Sequence, residues 1–334
     1  MFATGHAASA SAHGYWDNVR VRGSQRVRLW VVILVIIAFI AINAPGITAL
    51  FYRFYFGHQV AALPEARGPE QGDRLLVMAP HPDDETLCCA GSIQKAIRAG
   101  ASVYVVWFTS GDAFEWDAAL LNRTPDPAPI ELFKLGKSRI REAADAAKLL
   151  GVPGQNQFFL GYPDRGLSKL LKSFYSRPYR SPYTEVDAVP YMGTVSPGSA
   201  YTGKTMVADF ETVLAKVKPT IILAPSPRDA HPDHRAVAEL ALRLLNKRGK
   251  HPVVRYWIVH GGLEWPLPKG LHRTLVLEPP PRGKGLPWER VSLDITEENR
   301  KLAAIRTYQT QTEVLGRFML AFVRTNELYY PETR

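Results

Sequence analysis

An α/β fold, a Rossmann-like three-layer sandwich on a mainly parallel sheet preceded by one N-terminal transmembrane helix, is predicted by three observations. From Asp73 onward, short apolar runs alternate with amphipathic stretches of helical period, the pattern of βαβ units. Two of those runs, Leu75-Leu76-Val77-Met78 and Thr220-Ile221-Ile222-Leu223-Ala224, lead into clusters of His and Asp. Residues 29–51 carry no charged side chain.

The N-terminal tail, residues 1–28, is small and polar and ends with Arg20, Arg22, Arg26 and Arg28. Residues 29–51 are long enough for a bilayer core of roughly 30 Å. Trp30 on one side and Phe51, Tyr52 and Tyr55 on the other resemble interfacial anchors. Pro45-Gly46 predicts a kink, or an end near Asn43. A cleaved leader with its apolar region at 29–42 is the competing reading, but no small-x-small site follows cleanly, and Pro45 adjoins the candidate Ala44. We therefore read an uncleaved anchor. The arginine-rich leading flank is expected to set the N-terminus in the cytoplasm and the bulk of the chain outside it. Residues 52–72, with Pro64-Glu65-Ala66-Arg67-Gly68-Pro69-Glu70, are expected to be a linker.

Within 73–334 the elements follow in order. Residues 75–79 read as a strand, 85–99 as a helix closed by Gly100, and 102–109 as the next strand, a βαβ unit with a right-handed crossover. A helix is predicted over 138–150, ended by Gly151, then a short strand over 158–160. Further helices are predicted over 206–216, 235–245 and 299–308, with a strand over 220–224. Two stretches break the alternation: 114–130, rich in proline, and an insertion at about 173–203, rich in Tyr, Ser and Pro. Tyr175, Tyr179, Tyr183, Tyr191 and Tyr201 are candidates for stacking on sugar rings, or for packing on their own domain.

At 334 residues the chain suffices for one large domain or two small ones. The net charge of +10 attracts anionic partners in general. There is no dense Lys/Arg run and no nucleic-acid motif, so the charge reads as a basic solvated surface and no nucleic-acid partner is expected. The two cysteines, Cys88 and Cys89, are adjacent, a spacing that reaches disulfide geometry only with strain, so no disulfide framework is expected.

The chemistry concentrates in Ala79-Pro80-His81-Pro82-Asp83-Asp84-Glu85 and in Asp229-Ala230-His231-Pro232-Asp233-His234. Each follows a strand, where open α/β sheets bind ligands. Helix capping and the helix dipole alone would explain the acids of the first cluster. They would not explain His81, nor a second His/Asp group at another strand end. Imidazole and carboxylate together suit a divalent ion such as zinc. Spacing does not decide between Asp83 and Asp84, or between His231 and His234, as ligands.

These residues resemble the PIG-L (LmbE-like) deacetylases, zinc-dependent hydrolases of N-acetylglucosamine-containing substrates. The resemblance covers most of 73–315. Weaker agreement comes from Thr109-Ser110-Gly111-Asp112, Arg139-Ile140-Arg141-Glu142, Leu160-Gly161-Tyr162-Pro163-Asp164, and Ala304-Ile305 with Tyr308 and Gln311. It implies His81, Asp84 and His234 as zinc ligands and Asp83 as general base. It implies a protonated His231 that stabilises the tetrahedral intermediate, with Asp233 beside that ring to orient or charge it. It implies Arg139 and Asp164 as contacts to an acetylated sugar, on a glycan or glycolipid near the membrane. Iron(II) is an alternative to zinc in such a donor set. Glu85 reads as a helix N-terminal acid. An amidohydrolase of another small N-acyl molecule, or a membrane-tethered glycan-binding module without turnover, are the alternative readings.

Overall fold

The computed structural model describes residues 12–114, 127–245, 252–262 and 265–332, with the side chains of 12–26 and 40–45 outside the described residues. The chain divides into two compact units, Met1–Phe51 and Tyr52–Arg334. Helix α1 (Ala12–Ala61) continues past position 45, so it does not end near Asn43. Val27, Leu29, Trp30, Leu34, Val35 and Phe39 are exposed on it. Among the described residues, no helix is long and apolar enough to cross a membrane. The expected span at 29–51 therefore finds no support in the structure. Part of it, the side chains of 40–45, lies outside the described residues.

The second unit is built on a sheet of β1 (Arg74–Ala79), β2 (Ser102–Thr109), β3 (Gln157–Tyr162), β4 (Ile221–Pro225), β5 (Val253–Trp257), β6 (Glu289–Ser292) and β7 (Asn326–Pro331). Their spatial order is β3-β2-β1-β4-β5-β7-β6. The first five strands are parallel, with Val77 paired to Val105 on one side and Leu223 on the other. The central strands β1 and β4 are almost wholly buried, as parallel strands covered on both faces must be. β7 pairs antiparallel with β5 and with β6, so the sheet is mixed at one side. Chain order reverses between β1 and β4, and that reversal opens a crevice at their C-terminal ends.

Helices cover both faces. On one lie α2 (Asp84–Arg98), α3 (Pro129–Leu149), α7 (Ile295–Thr307) and α8 (Gln309–Leu320); on the other lie the short α4 (Leu167–Leu171), α5 (Gly203–Val217) and α6 (Pro232–Leu245). Helix α3 starts well before the predicted 138, because Pro129 sits in its first turn and the Glu131 carboxylate accepts the Ala128 N–H at 2.8 Å. α6 begins at Pro232, so Asp233 and His234 stand in its first turn. The linker is docked: Ala66 N donates to Arg290 O at 2.7 Å, and Glu65 accepts from Ser292 N at 2.7 Å. In the 173–203 insertion Tyr179, Tyr191 and Tyr201 are buried, with the Tyr201 hydroxyl donating to Gly161 O at 3.3 Å. These three tyrosines pack on their own domain. The stretch 115–126 of the other predicted loop lies outside the described residues.

Cys88 and Cys89 are joined by a disulfide within α2. Their Cα atoms are 3.8 Å apart, the spacing a trans peptide dictates, and the bridge encloses no intervening residue. It therefore ties no distant segments together.

The antiparallel side is locked to α2 by a buried polar network. Glu327 accepts from Gly91 N, Ser92 N and Ser92 Oγ at 2.8–2.9 Å, and Lys301 Nζ meets its Oε1 at 2.9 Å. Lys301 and Glu327 are both fully buried. Removing one member strands the other charge in the core. Lys301→Met is expected to lower unfolding free energy by about 3–5 kcal/mol, read by chemical denaturation; a loss under about 1 kcal/mol would show that the pair contributes no more than a surface contact.

Candidate metal centre and active-site cleft

The turn between β1 and α2 carries the first cluster. Asp83 caps α2 with φ +115°, a conformation costly for any residue bearing a Cβ. Its surroundings hold it there. Asp83 N donates to Glu85 Oε2 at 3.3 Å, and Gln311 donates through one amide nitrogen both to Pro82 O at 2.7 Å and to the Asp83 carboxylate. Glu85 stands in the first turn of α2, as expected, but it is buried. Its carboxylate is held by Trp107 Nε1 at 2.9 Å, by Thr86 Oγ1 and by the Tyr308 hydroxyl, so it anchors the turn from below.

Next to that turn, three donor atoms form a near-equilateral triangle. His81 Nδ1 lies 3.3 Å from Asp84 Oδ2, His234 Nε2 lies 3.2 Å from the same oxygen, and the two nitrogens are 3.3 Å apart. Around a tetrahedral zinc ion with ligands at about 2.0–2.1 Å, donor atoms lie about 3.3–3.4 Å from one another. The donor set and its spacing fit a divalent metal, which His81, Asp84 and His234 would hold. A looser grouping of His81, His231 and His234 has ring nitrogens within 4.8 Å. The Nδ1 of His231 is engaged elsewhere, accepting the Asp233 N–H at 3.3 Å.

The far nitrogens of both ligand histidines face carboxylates. His234 Nδ1 is 3.2 Å from Asp229 Oδ2, and His81 Nε2 is 3.2 Å from Asp164 Oδ1 and 3.5 Å from Asp233 Oδ2. Such partners fix ring orientation and tautomer and raise the basicity of the coordinating nitrogen. Asp229 does more. It accepts the N–H of His231 at 2.8 Å, of Val259 at 3.0 Å and of His260 at 3.1 Å, so one side chain ties the end of β5 to the second cluster.

The charges follow from this packing. Burial alone would lower the His81 pKa, but Asp164, Asp233 and Asp84 outweigh it and raise it well above 6.5. For His234 burial opposes, yet Asp229 and Asp84 carry it to about 9. Asp84 is held well below the carboxylate range because His234 and His81 overcome its burial. Asp83 is pushed up to about 8 by burial and by the Asp84 charge, with Arg139 acting against them. His231 is pushed down to about 2 by burial and by the rings of His81, His234 and His260. That direction favours the neutral imidazole while the rings of His81 and His234 are themselves charged. With Nδ1 accepting from Asp233 N, its proton sits on Nε2.

Arg139 and Asp164 both line the cleft beside His81, Asp83 and His231, with Phe114 and Phe318 as apolar walls. Arg139 is nearly buried, donating to Gly111 O at 2.6 Å and Pro82 O at 3.1 Å, with Nη2 3.6 Å from Asp83. Gly111 has φ +69° and a Cβ there would collide with the guanidinium, so that position must stay glycine. Asp164 is committed to His81 and to the Ala113 N–H at 3.2 Å. Asp233 departs from its expected role: its carboxylate accepts from Arg165 N at 2.6 Å and Leu167 N at 3.2 Å and faces His81, and only its backbone N–H touches His231.

Sequence reasoning gave no role to Asp229, Gln311, Tyr308, Asp112 or His260. The first four stand inside the quoted motifs; His260, in the loop after β5, carries no sequence signal. Asp112 is pushed up to about 6 by burial while accepting the Tyr191 hydroxyl at 2.6 Å. Since Asp229 orients the candidate ligand His234, Asp229→Ala is expected to weaken metal affinity about 10–100-fold, measured by competition with a chelator. An affinity equal to the parent's would remove it from the site.

Relatives bring the same region forward. A family model described as GlcNAc-PI de-N-acetylase matches residues 76–245, just over half of the chain. A 1D-myo-inositol 2-acetamido-2-deoxy-alpha-D-glucopyranoside deacetylase of Saccharopolyspora erythraea is 27% identical over 72% of this chain and 78% of its own length. The enzyme of the same name from Rhodococcus opacus is 29% identical over 48% of this chain, which spans only about half (49%) of that relative. The crystal structure of an antimicrobial pseudoaglycone deacetylase superposes with a TM-score of 0.51 at 20% identity, covering 77% of this chain and 96% of its own, a likeness of fold. With the matched segment running from β1 to the end of α6 and so enclosing both His/Asp clusters, the chain belongs to the PIG-L family.

Proposed function

We propose that the protein is a zinc-dependent N-deacetylase that hydrolyses the acetamido group of a glucosamine-type sugar on a glycoconjugate or glycolipid, releasing acetate. The observation that carries this is the triangle of His81, Asp84 and His234 donors beside a buried carboxylate, Asp83, in one cleft. Relatives named for the deacetylation of an N-acetylglucosaminyl-inositol support the sugar class.

When bound, zinc supplies Lewis acidity toward the acetyl carbonyl and toward the attacking water. The chain supplies the rest. In its ionised form Asp83 takes a proton from water as the water oxygen bonds to the carbonyl carbon, then returns that proton to nitrogen as the C–N bond breaks. Arg139 and Gln311 hold the Asp83 carboxylate in place. His231 donates its Nε2 proton as a hydrogen bond to the developing oxyanion. Arg139, Asp164 and the walls Phe114 and Phe318 orient the sugar.

Three substitutions separate these roles. Asp83→Asn keeps the shape but cannot accept a proton, so acetate release should fall about 10²–10⁴-fold with metal retained. His231→Ala should also lose turnover and keep metal. His234→Ala should lose metal itself. Elemental analysis beside acetate release from N-acetylated sugars and glycolipids checks all three and distinguishes zinc from iron. Full activity in Asp83→Asn, or full metal content in His234→Ala, would sink the assignment.

We also infer that residues 29–51 hold the protein at a membrane, with the N-terminus cytoplasmic and the catalytic unit on the other side. The uncharged run after four arginines supports this, as do the exposed apolar side chains of α1. Protease added to intact cells should then digest the catalytic unit; protection until lysis would reverse the topology.

A further inference from the structure

His260 stands in the catalytic cleft, just past the end of β5, without a part in the metal triangle. Its backbone is clamped twice to the second His/Asp cluster. The N–H donates to Asp229 Oδ2 at 3.1 Å, and the carbonyl accepts from Ala230 N at 3.1 Å. Three rings surround its own: His234 at 4.9 Å between centroids, His231 at 5.2 Å, and Phe318 at 6.3 Å, the last inclined to it by only 12°.

The ring is held in place while its polar atoms stay uncommitted. It is half-buried, and among the described residues neither ring nitrogen has a hydrogen-bond partner or is sealed from solvent. Other polar side chains of the cleft are already engaged. Arg139 donates to Gly111 O and Pro82 O, and Asp164 faces His81 and accepts from Ala113 N. His234 does not use the ring either, since it turns Nε2 to Asp84 and Nδ1 to Asp229, each at 3.2 Å. An imidazole fixed in an open cleft with donor and acceptor capacity to spare is a contact for a ligand's polar group.

The neighbouring rings indicate which group that is. His231 serves the acetamido carbonyl, and His260 is the next ring along the cleft. Phe318 offers a flat apolar surface to the C–H face of a pyranose, and the imidazole beside it suits a hydroxyl on that sugar's rim. In a glycoside the oxygen on C1 is spent on the linkage. The free hydroxyl on a carbon adjoining the acetamido carbon is therefore the one on C3. Building on the deacetylase reading, we propose that His260 is a specificity-determining residue, whose ring hydrogen-bonds the C3 hydroxyl of the hexosamine while Phe318 carries the pyranose face.

Acetate release by the metal-loaded full chain from methyl N-acetyl-α-D-glucosaminide and from its 3-deoxy counterpart tests this. The parent should favour the hydroxylated sugar in kcat/KM by about tenfold, the worth of one hydrogen bond. His260→Ala should erase that preference by slowing the hydroxylated sugar alone, and His260→Gln, which keeps a donor and an acceptor, should recover part of it. Metal content and thermal melting should match the parent's. Equal losses on both sugars, a preference that survives His260→Ala, or metal loss as large as in His234→Ala would each overturn the proposal. Should the parent release acetate from neither sugar, the deacetylase reading fails separately. Calorimetric titration with methyl α-D-glucosaminide and its 3-deoxy form then decides the contact, and equal affinities, or no binding of either, overturn it.

Discussion

Everything in the catalytic unit depends on one adjacency: β1 and β4 lie side by side although the chain places them far apart. Their parallel register sets Val77 opposite Leu223, so both strands deliver their C-terminal loops to the same crevice. Asp84 Oδ2 then sits where His81 and His234 both point. A shift of one residue in that pairing would turn alternate side chains to the other face of the sheet and pull the triangle apart. The apolar core around Leu76, Val77, Ile222 and Leu223 thus does for the metal site what a rigid frame does for a lens.

Around the triangle, each functional side chain is held by a second group whose own position is fixed. Asp229 holds His234, Asp164 and Asp233 hold His81, Gln311 and Arg139 hold Asp83, and Glu85 underpins the turn. Such outer partners keep reacting groups within the narrow tolerance that catalysis needs. They also explain why the strained backbone at Asp83 persists: contacts from α8 and from α2 itself leave it no alternative.

Much of this was legible in the sequence. The strands running to Ala79 and Ala224 were legible as buried apolar runs, and two His/Asp clusters marked their ends as a candidate metal site; which residues of those clusters would be ligands came only from the family resemblance. What was not legible has physical causes. β7 carries Asn326 and Glu327 in its buried part, polar residues that give no strand signal and are satisfied there by Leu277 and Ser92. The start of α3 was hidden by a proline-rich approach that is in fact a helix-initiating signal. The orientation of Asp233 depends on which backbone N–H groups approach it, and those come from Arg165 and Leu167, remote in sequence. The membrane span was read from composition alone, and the described helix gives it no support.

His81 and His234 are separated by 153 positions, so the metal site is a product of folding rather than a local peptide motif. The first cluster alone offers His81 and Asp84, too few donors for a tetrahedral ion. A chain emerging during synthesis therefore lacks the full donor set until α6 has been made and docked. Loading of a metal at this site would then be a late event that rewards completed long-range pairing, and a bound ion would stabilise the native state by mass action without favouring any partly built one.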